Sequence, residues 1–434
     1  MLRTSMYTTT TIKTRNMKFK IIFFVFLITF PCITLLAQNS TSSPYSGFGI
    51  GELEMSSGGR NAAMGQTGIA TRSSLFLNTA NPASLTTIEP QSFLLDMGFN
   101  IKYTKLENST KSVNVTDGNL SWIQIGFPIT KKIFGGLTLN PKSSVGYSIY
   151  SAKTIDGTSI SYPSIYEGTG GLSEAAGLLA WKLSKNISLG AKGGFIWGNV
   201  AQTVNQSIGV SSTTYELAQE DKTFYSGGYL NLGTQISIPI NSKSSIILGS
   251  VAGISSNLNA ETSTTITKTY GSTSEVISSD VKTTNSMKLP LDIGAGISYI
   301  YGSKWVATVD VKQCNWKNAT IDYYPNKLTK NNSYRAGLEF SPKEDQRYFR
   351  QTTKYRLGYR YESGYLRLYN NQIHEQAITF GVGIPIRKDR SFANFSVELG
   401  TRGTTAAHLV KEDYIKLNCS FNLWDKWFIK RKFE

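Results

Sequence analysis

The sequence predicts an all-β chain: an antiparallel transmembrane β-barrel of about fourteen strands, with an N-terminal segment plugging its lumen. Three observations predict it. Runs of ten or more residues alternate apolar and polar. The connections between those runs alternate long and short. A Gly-rich stretch without alternation precedes the first run. Composition agrees, since 17% of the 434 residues are charged, 12% are aromatic, and Gly and Tyr number 39 and 23. Soluble domains carry about 25% charged residues. A helical membrane protein needs repeated apolar runs of about 20 residues, and a single run of that kind stands at the N-terminus.

That run reads as a secretory signal over residues 1–37. Lys18 and Lys20 form a basic start, Ile21 to Phe30 an apolar core, and Ala37 a small residue for cleavage, with Met17 as an alternative start. An uncleaved anchor helix is the alternative, and Pro31 argues against it. Cys32 lacks the preceding residues of a lipoprotein acceptor. Setting aside the leader's Arg3, Lys13, Arg15, Lys18 and Lys20 lowers the formal net charge from +16 to +11. The excess is spread along the chain without interleaved aromatics, so nothing points to nucleic acid.

Residues 38–90 read as the plug. They are rich in Gly, Ala, Ser and Asn, and carry too little periodic apolar surface to build a core. Gly loses the most chain entropy on folding, so such a segment is ordered best by an enclosing wall. Eight strands leave a lumen filled by side chains and 16–18 leave an open channel; a fourteen-stranded lumen has room for a folded segment. A periplasmic arm is the alternative. Pro82 biases Asn81 to an extended conformation, which predicts a rigid turn at the entrance to the first strand. The same turn needs no function.

Residues 91–434 read as the barrel. In FLLDMGFNIKYT, Phe93, Leu95, Met97, Phe99, Ile101 and Tyr103 share one face, and Asp96, Asn100, Lys102 and Thr104 the other. Further strands are expected near 118–128, 132–150, 172–183, 186–204, 222–240, 244–258, 282–301, 303–314, 332–342, 353–364, 375–386, 391–402 and 413–423. Such lengths suit tilted membrane crossings of about 9–11 residues. Long connections (Leu106 to Asp117, Ser151 to Gly171, Val204 to Asp221, Asn259 to Val281, Asn315 to Asn331) alternate with tight, Lys- and Arg-rich ones, as outer-membrane barrels do. An even strand number puts both termini on the periplasmic side. Inward positions carry Asp96, Lys102, Asp310, Lys312, Arg356, Arg360 and Glu398. Tyr103, Trp122, Tyr147, Trp181, Tyr299, Tyr301, Trp305 and Trp424 are expected in interfacial girdles.

The segment NAAMGQTGIATRSSLFLNTANPASL (Asn61 to Leu85) resembles the N-terminal hatch of the FadL-like outer-membrane family, the long-chain fatty-acid transporter type. Its motif positions here are Asn61, Gly65, Gly68, Asn78, Asn81, Pro82 and Ala83. Weaker echoes follow in family order at Met287 to Tyr299, Lys304 to Trp316, Ser333 to Pro342 and Tyr355 to Tyr361. The opening Ser43 to Leu53 and the closing stretch from Gly400 look like a Bacteroidetes branch. The last strand lacks the family's terminal Phe, and no fatty-acid carboxylate site maps onto this chain.

The resemblance implies passive uptake of hydrophobic small molecules such as fatty acids across the outer membrane. The alternative is an accessory barrel that binds a partner in a secretion or assembly complex, with the Thr/Ser-rich stretch Ile266 to Ser279 projecting as a hairpin. Outer-membrane lipid surrounds the barrel in either case. No cofactor or metal is expected and no catalytic set is legible. His374 and His408 fall in loops without triad or ligand spacing, and GFGIG (Gly47 to Gly51) lacks the strand–turn–helix context of a phosphate loop. Cys314 and Cys419 fall on opposite faces, so two free thiols are expected.

Overall fold

A computed structural model describes residues 41–426 except 159–160, 211–212, 320–326, 343–352 and 388–389. The expected leader, residues 1–37, and the basic tail beyond Lys426 lie outside the described residues. The wall strands in chain order are β1 (Ser92–Glu107), β2 (Ser112–Pro128), β3 (Ile133–Thr154), β4 (Ser161–Lys182), β5 (Ile187–Val210), β6 (Thr213–Pro239) and β7 (Ser244–Ile254). They continue as β8 (Asp292–Tyr301), β9 (Trp305–Asn315), β10 (Lys330–Phe340), β11 (Lys354–Glu362), β12 (Glu375–Arg387), β13 (Ser391–Gly403) and β14 (Lys411–Lys426). Each pairs antiparallel with its neighbours. β14 returns to β1 in a register running from Ser92↔Lys426 to Glu107↔Lys411, which closes the sheet. The expected fourteen-stranded barrel is the observed one.

Alternation drives this closure. Along β1, Leu94, Asp96, Asn100 and Thr104 are buried, whereas Ile101 and Tyr103 are 56% and 46% exposed. Val309, Leu357, Phe380, Ile415 and Leu417 continue the exposed apolar band round the wall. In water such a band would drive association; against lipid it is the required surface.

Four strands greatly outrun a membrane crossing. β3 and β4 have 22 residues each, β5 has 24 and β6 has 27. At about 3.3 Å per residue, 27 residues reach roughly 90 Å, against a hydrocarbon core of ~30 Å. The stretches expected as loops over Ser151 to Gly171 and Val204 to Asp221 are therefore mostly strand. Beyond lipid the ladder needs no apolar face, so Thr- and Ser-rich sequence continues it unseen by an alternation test.

The stretch expected as a loop from Asn259 to Val281 is also β: a hairpin of strands Asn257–Tyr270 and Thr273–Lys288. β6 pairs with β7 over Leu230–Pro239 and with the hairpin's first strand over Glu216–Ser226. The strands expected at 244–258 and 282–301 are thus each broken. Pro290, which cannot donate to a ladder, stands at the second break. There the Leu289 N–H donates to the Ser256 carbonyl (2.7 Å), and Ser255 Oγ donates to the Leu289 carbonyl (2.7 Å).

Three expected girdle aromatics turn inward. A bulge between Gly98 and Phe99 in the β1–β2 register adds Ser121, which reverses the phase of β2 and buries Trp122 at 1% exposure. Tyr147 packs against the N-terminal segment at Gly47, and Trp424 packs under a cluster of Leu77, Leu85, Ile88, Leu94, Phe134 and Leu178. Tyr103, Trp181, Tyr299, Tyr301 and Trp305 face outward.

Candidate functional site

The lumen and one break in its wall form the site. β2 and β3 pair only where Ile123–Pro128 meets Phe134–Leu139, near the short-turn end. Farther along, Pro141 lacks an N–H, and the β3–β4 register shifts between Pro141 and Ser143. Gly171 (φ 146°) lets β4 follow this kink, because a Cβ there would lie 2.3 Å from the Ser143 carbonyl oxygen. β3 therefore leaves β2. In its place Glu52 and Leu53 of the N-terminal segment pair with Ser144 and Ser143, and the Glu54 N–H donates to the Lys142 carbonyl (3.0 Å).

Electrostatics fasten that bridge. Glu52 takes Lys102 Nζ at 2.8 Å, Arg402 Nη1 at 3.3 Å and the Thr41 hydroxyl at 2.6 Å. Burial alone would raise the Glu52 carboxyl; Lys102 and Arg402 outweigh it and hold the group well below the ordinary carboxylate range. Ser42 Oγ donates to Asp117 (2.6 Å), and Ser43 Oγ donates to Glu412. Tyr45 lies under Arg402 at 5.4 Å. Burial, and then Glu412, push its hydroxyl up to about 12.

A second tier ties the segment to the opposite wall. Arg60 donates from Nε and Nη2 to the two Glu339 oxygens, each at 2.9 Å, and Arg356 Nε adds a third bond at 2.7 Å. Phe76 lies 5.9 Å from Arg60 and 4.8 Å from Arg356, ring centroid to guanidinium carbon. Asp310 accepts the Gly68 and Ile69 N–H groups at 2.6 and 2.9 Å. Asp96 accepts Trp122 Nε1 at 2.8 Å and the Gly59 N–H at 3.3 Å.

The hatch positions hold the segment's own shape and its fit to the wall. Gly65 (φ 64°) lies where a Cβ would come within 2.6 Å of the Tyr359 carbonyl oxygen, so only Gly fits. Gly68 packs on Ala80. Asn61 Nδ2 donates to Asn78 Oδ1 (2.9 Å), and Asn78 Nδ2 donates to the carbonyls of Gly68 (2.6 Å) and Thr71 (3.0 Å). Asn81 is extended (φ −130°, ψ 110°) and caps the 3-10 turn Pro82–Thr87, accepting the Ala83 N–H at 3.1 Å. Its Nδ2 donates to the carbonyls of Ile69 (2.8 Å) and Thr234 (3.0 Å). Asn81-Pro82 thus sits against β6 and β7, not at the start of β1. The 3-10 turn then carries the chain back to Ser92, so the expected rigid turn is present but does not stand at the entrance to the first strand.

The remaining lumen charges expected from the sequence, Lys312, Arg360 and Glu398, are paired. Lys312 meets Asp292 at 2.5 Å, and Arg360 Nη2 meets Glu398 at 2.8 Å and the Tyr414 hydroxyl at 2.7 Å. Lys142 and Lys192 share Glu174 at 3.4 and 2.6 Å and lie 5.6 and 5.7 Å from the Tyr229 ring centroid. Above them is an apolar tier of Tyr45, Ile50, Val145, Leu172, Ile196 and Leu258, capped by Trp316, Tyr365 and Leu366. Sequence reasoning missed Glu52, Arg60, Glu339, Arg402 and Glu412. Glu339 was within reach: it shares the inward phase of Arg335 in β10. His374 lies against Tyr361 at 6.3 Å, and Cys314 and Cys419 are free thiols. Among the described residues no His, Cys, Asp and Glu cluster has metal-holding geometry.

A family model described as BamG matches residues 17–434. Among solved structures, the toluene transporter TodX of P. putida is similar at 14% identity and a TM-score of 0.62, over 87% of this chain and 100% of that one. The CymD monoaromatic hydrocarbon channel is similar at 14% identity and TM-score 0.58, over 87% and 98%. A Pseudomonas aeruginosa FadL homologue is similar at 11% identity and TM-score 0.55, over 87% and 100%. At these identities the likeness shows a common barrel fold. Comparison with curated protein sequences gave no significant match. The family model spans nearly the whole chain, and the chain belongs to the BamG family.

Proposed function

We propose that this outer-membrane barrel, with both termini periplasmic, admits a hydrophobic small molecule at its long-loop end and releases it sideways between β2 and β3. The wall break carries this reading: the two strands part beyond Leu139, and the Glu52–Leu53 bridge covers the opening from within. The apolar tier around Ile50, Val145 and Leu172 lies next to that bridge. Burial there favours an apolar solute by roughly 25 cal/mol per Å². Residues 38–90 serve as the plug, and the bridge is its movable part. TodX and CymD, named for toluene and monoaromatic hydrocarbons, support a solute of that class. Toluene entry into proteoliposomes tests the reading. Entry faster than into protein-free vesicles, and slowed by Leu172→Glu, is expected; entry equal to that of empty vesicles overturns it.

A second reading is an accessory barrel in a secretion or assembly complex. The long hairpin favours it, because residues 271–279 are exposed along their whole length and do nothing for the lumen. A stoichiometric partner retained on purification from native membranes is expected on this reading.

A further inference from the structure

We infer that the short turns at one end of the barrel form a basic arc that holds net-negative phospholipids of the periplasmic leaflet by their headgroups. The inference concerns the wall and does not depend on what passes through the lumen. From the proposed function it takes only the periplasmic side of the short turns. Four consecutive turns build the arc: residues 129–132 between β2 and β3, 183–186 between β4 and β5, 240–243 between β6 and β7, and 302–304 between β8 and β9. They carry Lys131, Lys132, Lys185, Lys243 and Lys304, all exposed, and no Asp or Glu.

Backbone bonds set these turns side by side. The Lys182 N–H at the end of β4 donates to the Lys132 carbonyl (2.8 Å), the Ser237 N–H of β6 to the Asn186 carbonyl (2.8 Å), and the Gly302 N–H to the Lys243 carbonyl (2.6 Å). Three of the turns are also closed from within: Thr130 Oγ1 accepts the Ile133 N–H, Ser184 Oγ the Ile187 N–H, and Asn241 Oδ1 the Ser244 N–H. The lysines are thereby held along one rim. That rim is the lipid boundary. Exposed Ile129 and Ile133 flank Lys131 and Lys132, Leu183 and Ile187 flank Lys185, Ile240 precedes Lys243, and Tyr301 and Trp305 flank Lys304. Trp181, also exposed, pairs with Ile133. Trp and Tyr gather at membrane–water interfaces, so Trp181, Tyr301 and Trp305 mark the headgroup zone. A lysine beside them lays its stem on apolar surface and extends its ammonium into that zone.

Charge then selects the lipid. A zwitterionic headgroup brings its own cation to each phosphate, whereas ammonium groups along an arc without acids favour a headgroup of net negative charge. The opposite end of the barrel differs: exposed Lys105 and Lys411 there meet Glu107 at 2.6 Å and Asp413 at 2.8 Å. A free phosphate would gain only the charge contact, while a phospholipid adds its acyl chains against Ile129, Leu183 and Ile240. Turns this short do not project from the rim as a protein-docking loop would, which favours lipid over an acidic protein surface.

The test places the full-length protein in phosphatidylcholine vesicles with a trace of spin-labelled phosphatidylglycerol or spin-labelled phosphatidylcholine. Electron paramagnetic resonance reads the motionally restricted fraction of each. Restricted phosphatidylglycerol should exceed phosphatidylcholine roughly threefold at low salt, and the excess should shrink as salt screens it. Lys131→Gln, Lys132→Gln, Lys185→Gln and Lys243→Gln combined should abolish the excess, with restricted phosphatidylcholine and heat-modifiable gel migration unchanged. Lys105→Gln with Lys411→Gln should keep it. No excess in the intact protein, an excess that survives the four-lysine variant, or one lost in the Lys105 and Lys411 variant overturns the proposal. So does a protein retained from native membranes by the intact chain and lost from the four-lysine variant without any lipid excess, which assigns the arc to an acidic protein surface. The side of the membrane is read separately. Ser242→Cys, combined with Cys314→Ser and Cys419→Ser, should react with a membrane-impermeant maleimide only after the outer membrane is opened. Reaction in intact cells overturns the periplasmic placement, here and in the proposed function, whatever the lipid preference.

Discussion

Arg60 and Glu339, 279 positions apart, form a two-pronged ion pair at 2.9 Å per prong, with side chains 4% and 7% exposed. The pair joins a Gly-rich segment that has no core of its own to the rigid wall of β10. Arg356 shares the same carboxylate at 2.7 Å. Removing Glu339 strands two buried guanidiniums, whereas removing Arg60 leaves Glu339 still paired. Breaking a buried pair from one side costs about 3–5 kcal/mol. Glu339→Ala should therefore lower the midpoint of heat-modifiable unfolding well below that of Arg60→Ala. Equal midpoints would show that the shared carboxylate is not what binds the two cations.

Lipid exposure is tested where Ile101 of β1 lies opposite Leu417 of β14, 56% and 50% exposed. Arg at either position should cost roughly 2–4 kcal/mol in a bilayer. Refolding equilibria in urea with lipid vesicles measure it. Asn100 is not a neutral control: it is 6% exposed and donates to Ser121 Oγ at 2.7 Å, so Arg there would overpack the lumen. Ile101→Ser is the better comparison. It should cost a fraction of the Arg value, and equal costs would mean that no lipid meets this face.

The strands were legible because lipid forces strict alternation, and Ile101, Val309 and Leu417 follow it. Trp122 was not, since one extra residue, Ser121, reverses the phase and only the partner strand reveals it. The hairpin's Thr-rich strands lie beyond the lipid, where either face accepts polar residues and alternation fades. Asp96, Lys102, Asp310, Arg356 and Arg360 could be assigned inward from phase alone. Their partners could not: Glu52 for Lys102 and Glu339 for Arg356 follow from how the segment lies in the lumen, which no local pattern encodes. The role of Asn81 shows the same limit, with its local conformation readable and its place against Thr234 not.

Deleting Ser43 to Thr71 should leave a folded barrel and open an ion conductance in planar bilayers. The deletion removes Arg60, the Gly68 and Ile69 donors and the Glu52 bridge together, while Arg356 keeps Glu339 satisfied. Conductance unchanged from the intact protein would show that the segment does not close the pore.

Acid should loosen the bridge. The Glu52 carboxyl is held down in the folded chain, so its contribution is complete above the ordinary glutamate value of 4.5 and fades as pH falls below it. Single-channel recordings should show more frequent openings at about pH 3.5 than at pH 7 in the intact protein. Glu52→Gln should open often at both. A variant whose pH response matches the intact protein would assign the effect to other carboxylates.

Leu53 and Ser143 are directly paired across the wall break, so cysteines at the two positions, with Cys314 and Cys419 replaced by Ser, can lock the bridge. Toluene entry into proteoliposomes is measured on this variant, oxidised and then reduced. Release beneath β3 predicts that oxidation brings entry down to the rate of empty vesicles and that reduction restores it, with heat-modifiable migration unchanged throughout. Entry that is the same in both redox states would contradict a lateral path gated by the bridge.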